Sequence, residues 1–298
     1  MLYVVKLGGG AGIALAPAAQ DIAELVRRGE QIVLLHGCSG AADQLAQELG
    51  VPVRYVTSTA GVRSRYTDAR SLRIFVLAAG LVNTELVGTL QRLGVPALGL
   101  SGLDGGLLCG SRKETLRIVE NGRPRVLRGD FTGRVERVNV DLLRLLLDHG
   151  YVPTIAPLAL AAGDACENGR EMGRQGDPTL GDGRAACWSQ ESGYQVAVNV
   201  DGDRAAAAVA VALHADLLII LSNVPGLLAD ARNERSLIQR LAAHELMDYE
   251  RQVTGGMRRK LMAAREAWRN GVPRVVLADG RVAHPLRAAL AGGGTVIA

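Results

Sequence analysis

Two short apolar runs, LYVVKL at residues 2–7 and QIVLL at 31–35, each lead into glycine, and helix-like stretches follow at 17–28 and 39–49. Short apolar strands alternating with helices predict a parallel sheet with crossover helices. The alternation continues. Residues 71–93 carry Leu72, Phe75, Val76, Ala79, Val82, Leu86 and Leu90 at helical spacing and stop at Gly94. A helix at 139–149, the strand YVPTIA, a helix at 203–213 and the strand LLIIL at 217–221 follow. The expected class is α/β: an open, mainly parallel sheet sandwiched by helices.

Composition removes several functions. Aromatic residues make up 3% of the 298, too few for a surface that stacks bases, so no nucleic-acid partner is expected. We see no apolar run of the roughly 18 residues a membrane span needs, and Lys6 interrupts the first strand. A cytoplasmic protein without membrane contact is expected. Cys38, Cys109, Cys166 and Cys187 form no Cys-x-x-Cys pair, so neither a disulfide framework nor a metal site is indicated.

The net charge of +4 is unevenly spread. Residues 112–137 hold eight Arg or Lys against four acids, and residues 54–73 hold five Arg against Asp68. Such polarisation suits an anionic partner. Within the first stretch, TLRIVE and RPRVLR flank Asn121-Gly122, a strong hairpin signal, so a projecting basic hairpin is expected within 111–137. Residues 163–195 hold seven glycines and no sustained periodicity and read as a long loop. A first lobe at 1–177 and a second at 178–298 are expected to share one sheet.

Glycine marks the candidate site. Gly8, Gly9 and Gly10 follow the first strand and HGCSG follows the second, so backbone N–H groups and helix N-termini can approach an anion in the crevice at the strands' carboxyl ends. Neither G-x-x-x-x-G-K-[ST] nor G-x-G-x-x-G occurs. Lys6 at the end of an apolar strand and Lys260 at a helix start, in VTGGMRRKLMAAREAW, are both costly unless an anion lies nearby. One phosphoryl group between the two would account for both.

VVKLGGG, HGCSG, NVDGDRAAAAVA, LSNVPGLL and GGMRRKLMAA stand in the order found in the amino-acid kinase fold, most familiarly acetylglutamate kinase. SRYTD, GLVN, GLSGLDG, RGDFTG and RVVLADGRVAHPLRAALAGGGTVI more narrowly resemble the LysW-dependent kinases. The resemblance implies ATP-dependent phosphorylation of the side-chain carboxylate of α-aminoadipate or glutamate, held on a small acidic carrier protein of LysW type. It further implies a homodimer through the 71–93 helix, with Asn83 there as an interface residue, and Mg²⁺ carried mainly by the nucleotide. Lys6 and Lys260 match transition-state stabilisers and Asp203 the acid that holds them. Arg65 and Asn199 match residues gripping the α-side of the amino acid, and the backbone of Gly37, Cys38 and Ser39 matches the cradle for the reacting oxygens. Gly8, Gly9, Ser222, Asn223, Val224, Gly226, Leu227, Val253, Thr254 and Met257 match the ATP site. Arg117, Arg123, Arg125 and Arg128 would meet the carrier.

A carboxylate nucleophile is already ionised at pH 7, so no general base is needed and the difficulty is bringing two anions together. Cys38 departs from the family glycine, and a positive φ there would cost about 1–2 kcal/mol. His36 reads as a packed strand-end residue. Competing readings are an acetylglutamate kinase without a carrier, an inactive binding protein that keeps the fold, and a Rossmann oxidoreductase, which lacks its glycine fingerprint.

Overall fold

The computed structural model describes residues 1–298 except 11, 14, 60, 62, 114, 121 and 162–196. The loop expected at 163–195, with Cys166 and Cys187, lies outside the described residues, as does Asn121.

Eight strands form the main sheet, in the order β14 (Arg240–Leu241), β16 (Thr295–Ile297), β15 (Val275–Asp279), β13 (Leu217–Ser222), β1 (Leu2–Leu7), β2 (Gln31–His36), β10 (Val152–Ala156) and β5 (Ala97–Ser101). All neighbours run parallel except β15 and β16. Strands from both ends of the sequence therefore meet at β1, which pairs with β2 on one side and β13 on the other.

Alternation along the strands splits the core into two layers. Val4, Val33, Leu35, Leu218 and Ile220 pack on one face with α4 (Val140–Asp148), α5 (Gly202–Leu213) and α7 (Gly255–Arg269). Val5, Leu7, Ile32, Leu34, Ile219 and Leu221 pack on the other with α1 (Leu15–Arg27), the end of α3 (Ala69–Arg92) and α8 (Pro285–Leu290). The result is the expected helix–sheet–helix sandwich. Lys6 alternates onto the α5 side of β1 and His36 onto the α3 side of β2.

The helix expected at 71–93 begins two residues earlier because Asp68 caps it, accepting a hydrogen bond from Ser71 N at 2.7 Å. This α3 is long and apolar enough, by length and composition, to cross a membrane, although we saw no such run in the sequence. In the fold it buries Leu72, Phe75, Ala79, Leu86 and Leu90 against protein and exposes Leu77 and Leu81. The short helix α2 (Ser39–Glu48) packs beside it, and α6 (Leu246–Gln252) precedes α7.

The basic segment departs from the single hairpin expected within 111–137. Its flanks, β6 (Leu108–Arg112) and β9 (Thr132–Val138), close a small sheet with β11 (Leu158–Ala161) and β12 (Ala197–Val200). Only β7 (Thr115–Glu120) and β8 (Arg123–Arg128) form the hairpin, turning at Gly122 with φ 73°. That hairpin joins β3 (Tyr55–Ser58) and β4 (Arg63–Arg65) in a separate sheet, order β4-β3-β7-β8. Each of the two arginine-rich stretches of the sequence thus contributes one strand pair to a basic sheet, joined by the pairing of β3 with β7.

Candidate active site

The carboxyl ends of β1, β2 and β13 converge where β1 is in register with both neighbours, Leu7 opposite His36 and Leu221. The glycine loops after β1 and β2 touch backbone to backbone. A Cβ on Gly9 would lie 2.3 Å from Gly37 C and 2.5 Å from Cys38 N, and one on Gly37 would lie 2.6 Å from Gly9 N. Only glycine permits that approach.

The loops divide their N–H groups between two tasks. Gly8 N donates to Leu221 O at 3.0 Å, Gly37 N to Leu7 O at 2.8 Å and Gly40 N to Gly9 O at 2.7 Å, fixing the loops. The N–H groups of Gly9, Cys38 and Ser39 make no hydrogen bond among the described residues, so they are the ones available to an oxyanion. The N–H of Gly37, by contrast, is taken by Leu7 O.

Cys38 is not strained. Its φ of −135° is an ordinary conformation, which removes the cost expected from a positive φ. Its side chain is 1% exposed, packs among Ala42, Phe75 and Ala156, and leaves the cradle to its backbone. Burial pushes the thiol up to about 12, against smaller opposing effects of Arg65 and Lys6.

Asp203, on the first turn of α5, joins the two lysines. Lys6 Nζ lies 2.7 Å from Oδ1 and Lys260 Nζ 2.9 Å from Oδ2. The carboxylate is 5% exposed. Burial alone would raise its pKa, but the two ammonium groups outweigh burial and hold it well below the usual carboxylate range. One carboxylate cannot neutralise two cations, so the clamp keeps a net positive charge toward the cleft.

Two residues missed in the sequence brace this clamp. Asp201 caps α5, accepting from Asp203 N and Arg204 N at 3.1 Å each, and its Oδ2 lies 3.4 Å from Arg259 Nε. Arg204 forks onto Glu266 of α7 at 3.0 and 2.7 Å, tying α5 to α7. An acid just before the alanine-rich helix is a readable cap signal; its arginine partner is not.

The acceptor-side residues are also brought together. Arg65 donates to Asp43 Oδ1 and to Ser39 O at 3.2 Å, with Tyr55 beside it donating to Asp43 Oδ2 at 2.9 Å. Asn199 Nδ2 donates to Thr67 Oγ1 at 3.2 Å. Buried Asp130, also missed, receives Thr67 N at 3.0 Å and the Thr132 hydroxyl, pinning RGDFTG to SRYTD. Of these groups, Arg65, Tyr55, Asn199 and Thr132 share with the lysine clamp a cleft of about 550 Å³, lined also by Gly8, Gly9, Gly37, Ser39, Ser222 and Asn223.

Other candidates stand elsewhere. Leu227 is buried in the main core, its N–H donating to Thr295 Oγ1 at 2.8 Å, and Gly226 packs against the same threonine. Val253 and Met257 pack against that core, Thr254 is the exposed residue before α7, and Val224 O accepts from Ser222 Oγ at 3.2 Å. None of these six lines the cleft. Asn83 faces inward from α3, Nδ2 lying 3.0 Å from His36 Nε2 and 2.9 Å from Thr154 O. Within the chain it therefore holds His36, and it is half-buried. His36 is fully buried, and burial lowers its pKa to about 4, with a smaller raising effect from Gly37.

The four hairpin arginines do not share one face. Register places Arg117 opposite Val126 and Arg128 opposite Thr115 on one face, and Arg125 opposite Ile118 and Arg123 opposite Glu120 on the other. Glu120 already pairs with Arg125 at 2.7 Å and Arg54 at 2.9 Å.

An open α/β sheet whose switch-point crevice holds glycine loops and a buried lysine–aspartate–lysine clamp offers N–H groups and positive charge to an anion such as a phosphoryl group. Residues 1–279 match the amino acid kinase family, and the chain belongs to that family. It is 44% identical over 298 residues to the LysW-aminoadipate kinase of Deinococcus radiodurans, covering 99% of this chain and 91% of that one. It is 42% identical over 299 residues to the LysW-aminoadipate kinase of Thermus thermophilus, covering 99% and 100%. The LysW-aminoadipate/LysW-glutamate kinase of Saccharolobus solfataricus is 30% identical over 298 residues, covering 100% and 99%. Among solved structures, N-acetylglutamate synthase from Neisseria gonorrhoeae, complexed with coenzyme A and N-acetyl-glutamate, superimposes with a TM-score of 0.72 at 26% identity. That match covers all of this chain, which spans only 59% of the synthase chain. Carbamate kinase from Giardia lamblia bound to AMP-PNP shares the fold, with a TM-score of 0.63 at 14% identity over 99% of this chain and 98% of that one.

Proposed function

We propose that this kinase transfers the γ-phosphoryl group of ATP to the side-chain carboxylate of α-aminoadipate, or of glutamate, carried on an acidic LysW-type protein, in lysine or arginine biosynthesis. The observation that carries the reading is the buried Lys6–Asp203–Lys260 clamp, in a chain whose relatives named for this reaction match it nearly end to end.

Lys6 and Lys260 hold the phosphoryl oxygens as charge develops between donor and acceptor, and Asp203 fixes both ammonium groups before the substrates arrive, so no reorganisation is needed during the reaction. Gly9, Cys38 and Ser39 present their N–H groups to the reacting oxygens. Gly8, Ser222 and Asn223 line the nucleotide side, and Arg65 and Asn199 grip the α-side of the acceptor. The glycine loops fit a phosphate, because their close backbone approach gathers the unpaired N–H groups of Gly9, Cys38 and Ser39 at the strand ends. ATP supplies the phosphoryl group, and Mg²⁺ arrives mainly on its phosphates. In this reading residues 1–177 form the acceptor lobe and 178–298 the nucleotide lobe.

The basic sheet supports a carrier, since a free N-acetylated amino acid does not need an exposed cationic surface. We read α3, with Leu77 and Leu81 exposed, as the homodimer contact, and the enzyme as cytoplasmic; the mass of the sedimenting species at micromolar concentration, measured by ultracentrifugation, tests the dimer. The function is tested by incubating the enzyme with ATP and either carrier-linked aminoadipate, carrier-linked glutamate or the free N-acetylated amino acids, then trapping the acyl phosphate with hydroxylamine. Hydroxamate formed on the carrier supports the reading; hydroxamate formed only on a free amino acid replaces it with an acetylglutamate-type kinase.

A further inference from the structure

Six cationic side chains line the cleft: Lys6, Arg65, Lys113, Arg204, Arg259 and Lys260. Five of them meet a carboxylate. Lys6 and Lys260 share Asp203, Arg65 has Asp43, Arg204 has Glu266 and Arg259 has Asp201. The ammonium of Lys113 has no acidic partner and no hydrogen bond among the described residues. An unneutralised cation on a cleft wall favours an anion from outside the chain.

The backbone fixes where that charge stands. Lys113 follows the last residue of β6 and precedes β7, at the junction between the small closed sheet and the basic sheet. Its N–H donates to Thr132 O at 2.9 Å, and Thr132 is in register with Asn199 across β9 and β12. Lys113, Thr132 and Asn199 therefore form one row across adjacent strands. With neighbouring strands about 4.8 Å apart and the small sheet closed on itself, the backbone of Lys113 stands no more than about 10 Å from that of Asn199. An extended chain covers about 10 Å in three residues.

We infer that Lys113 is a specificity residue for the carrier, reading a carboxylate within roughly the last three residues of the carrier beyond the amide that joins it to the acceptor. The inference rests on the proposed function above and adds a site on the enzyme to it. The phosphoryl end of the cleft already has its two buried lysines, and the acceptor's α-side has Arg65 and Asn199. What remains at the distance of Lys113 is the tail that brings the acceptor in, and an acidic tail supplies the missing charge.

Initial rates at low salt test this, using the carrier-linked acceptor as substrate and the N-acetylated amino acid as its competitor. Lys113→Ala is expected to raise KM for the carrier-linked acceptor about fivefold, the scale of one exposed ion pair. Lys113→Glu should raise it further and Lys113→Arg should restore it, while kcat, KM for ATP and Ki for the competitor stay within twofold. The rise should shrink at 0.5 M salt, where charges are screened within about 4 Å. An unchanged KM in Lys113→Ala, or an equal change in KM and Ki, overturns the inference while leaving the function standing. Wild-type enzyme that ignores the carrier-linked acceptor overturns both, and shows it before any variant is made.

Discussion

Lys6 is 7% exposed and meets Asp203 together with Lys260, whereas Arg117, Arg123, Arg125 and Arg128 all stand exposed on a two-stranded hairpin. Both regions are cationic and both suit an anion. They differ in what holds the charge. A buried ammonium cannot persist without a partner, because removing it from water costs several kcal/mol, so the clamp is fixed by its own carboxylate before any substrate binds. The exposed arginines keep their hydration and their freedom, and salt screens them over about 10 Å at 0.1 M. Buried charge is suited to stabilising a transition state; exposed charge is suited to capturing a partner.

The sharpest way to break that contrast is to unpair the clamp. Asp203→Ala leaves two ammonium groups facing each other, and unfolding titrations should show a loss of about 3–5 kcal/mol, the usual cost of breaking a buried pair. Lys6→Ala and Lys260→Ala should each lower kcat by at least about 10²-fold at any salt concentration. Near-normal turnover in both folded lysine variants would remove the phosphoryl-transfer role from the clamp.

His36 sits on the other face of the same sheet and gives a test by pH. Its folded pKa of about 4 lies below the unfolded value near 6.5, chiefly because burial disfavours its charge. The unfolded chain therefore binds the extra proton first. The contribution is complete above pH 6.5 and falls by about 3 kcal/mol on the way down to pH 4. Denaturation of wild type and His36→Gln across that range should show a steeper loss in wild type. Parallel curves would mean that His36 is hydrated or already charged in the fold.

The glycine loops should respond on a smaller scale. Gly9→Ala drives a Cβ to 2.3 Å from Gly37 C, a backbone atom that cannot swing aside. A forced shift of about 1–3 kcal/mol in the loop that offers Gly9 N–H to the phosphoryl oxygens predicts a KM for ATP raised about tenfold. Gly10→Ala meets nothing within 4 Å and serves as the control.

How much of this was legible follows the range of the interactions involved. The strand–helix alternation, the glycine ends and the two expensive lysines are local patterns, and each stands where the sequence predicts. Asp203 was reached through the resemblance, and in the fold it bridges both lysines. The bond of Asp130 to Thr132 is local, but nothing in the sequence announces its bond to Thr67, which meets it only through tertiary packing. Leu227 and Met257 sit in motifs resembling a nucleotide wall; Leu227 is buried in the core, where burial is most favourable, and Met257 is half-buried against it. The basic sheet was half visible. An Asn-Gly turn announces β7 and β8, but nothing near residue 57 announces that Thr57 will pair with Val119.

That pairing sets up the smallest expected effect and the finest test of the contrast. The register divides the hairpin arginines into Arg117 with Arg128 on one face and Arg123 with Arg125 on the other, where Glu120 offsets Arg125 and Arg54. A carrier that docks through the unoffset face should feel reversal of Arg117 and Arg128 to Glu more than reversal of Arg123 and Arg125. Each exposed charge contributes about 0.2–1 kcal/mol, so the first pair should raise KM for the carrier-linked acceptor several-fold at low salt while sparing KM for ATP. Raising the salt should erase the difference, which a clamp variant would not show. Equal effects from both pairs would mean that the carrier responds to the summed field of the sheet rather than to one face. No effect from either would leave the hairpin as a solvated surface and move recognition of the carrier to the cleft itself.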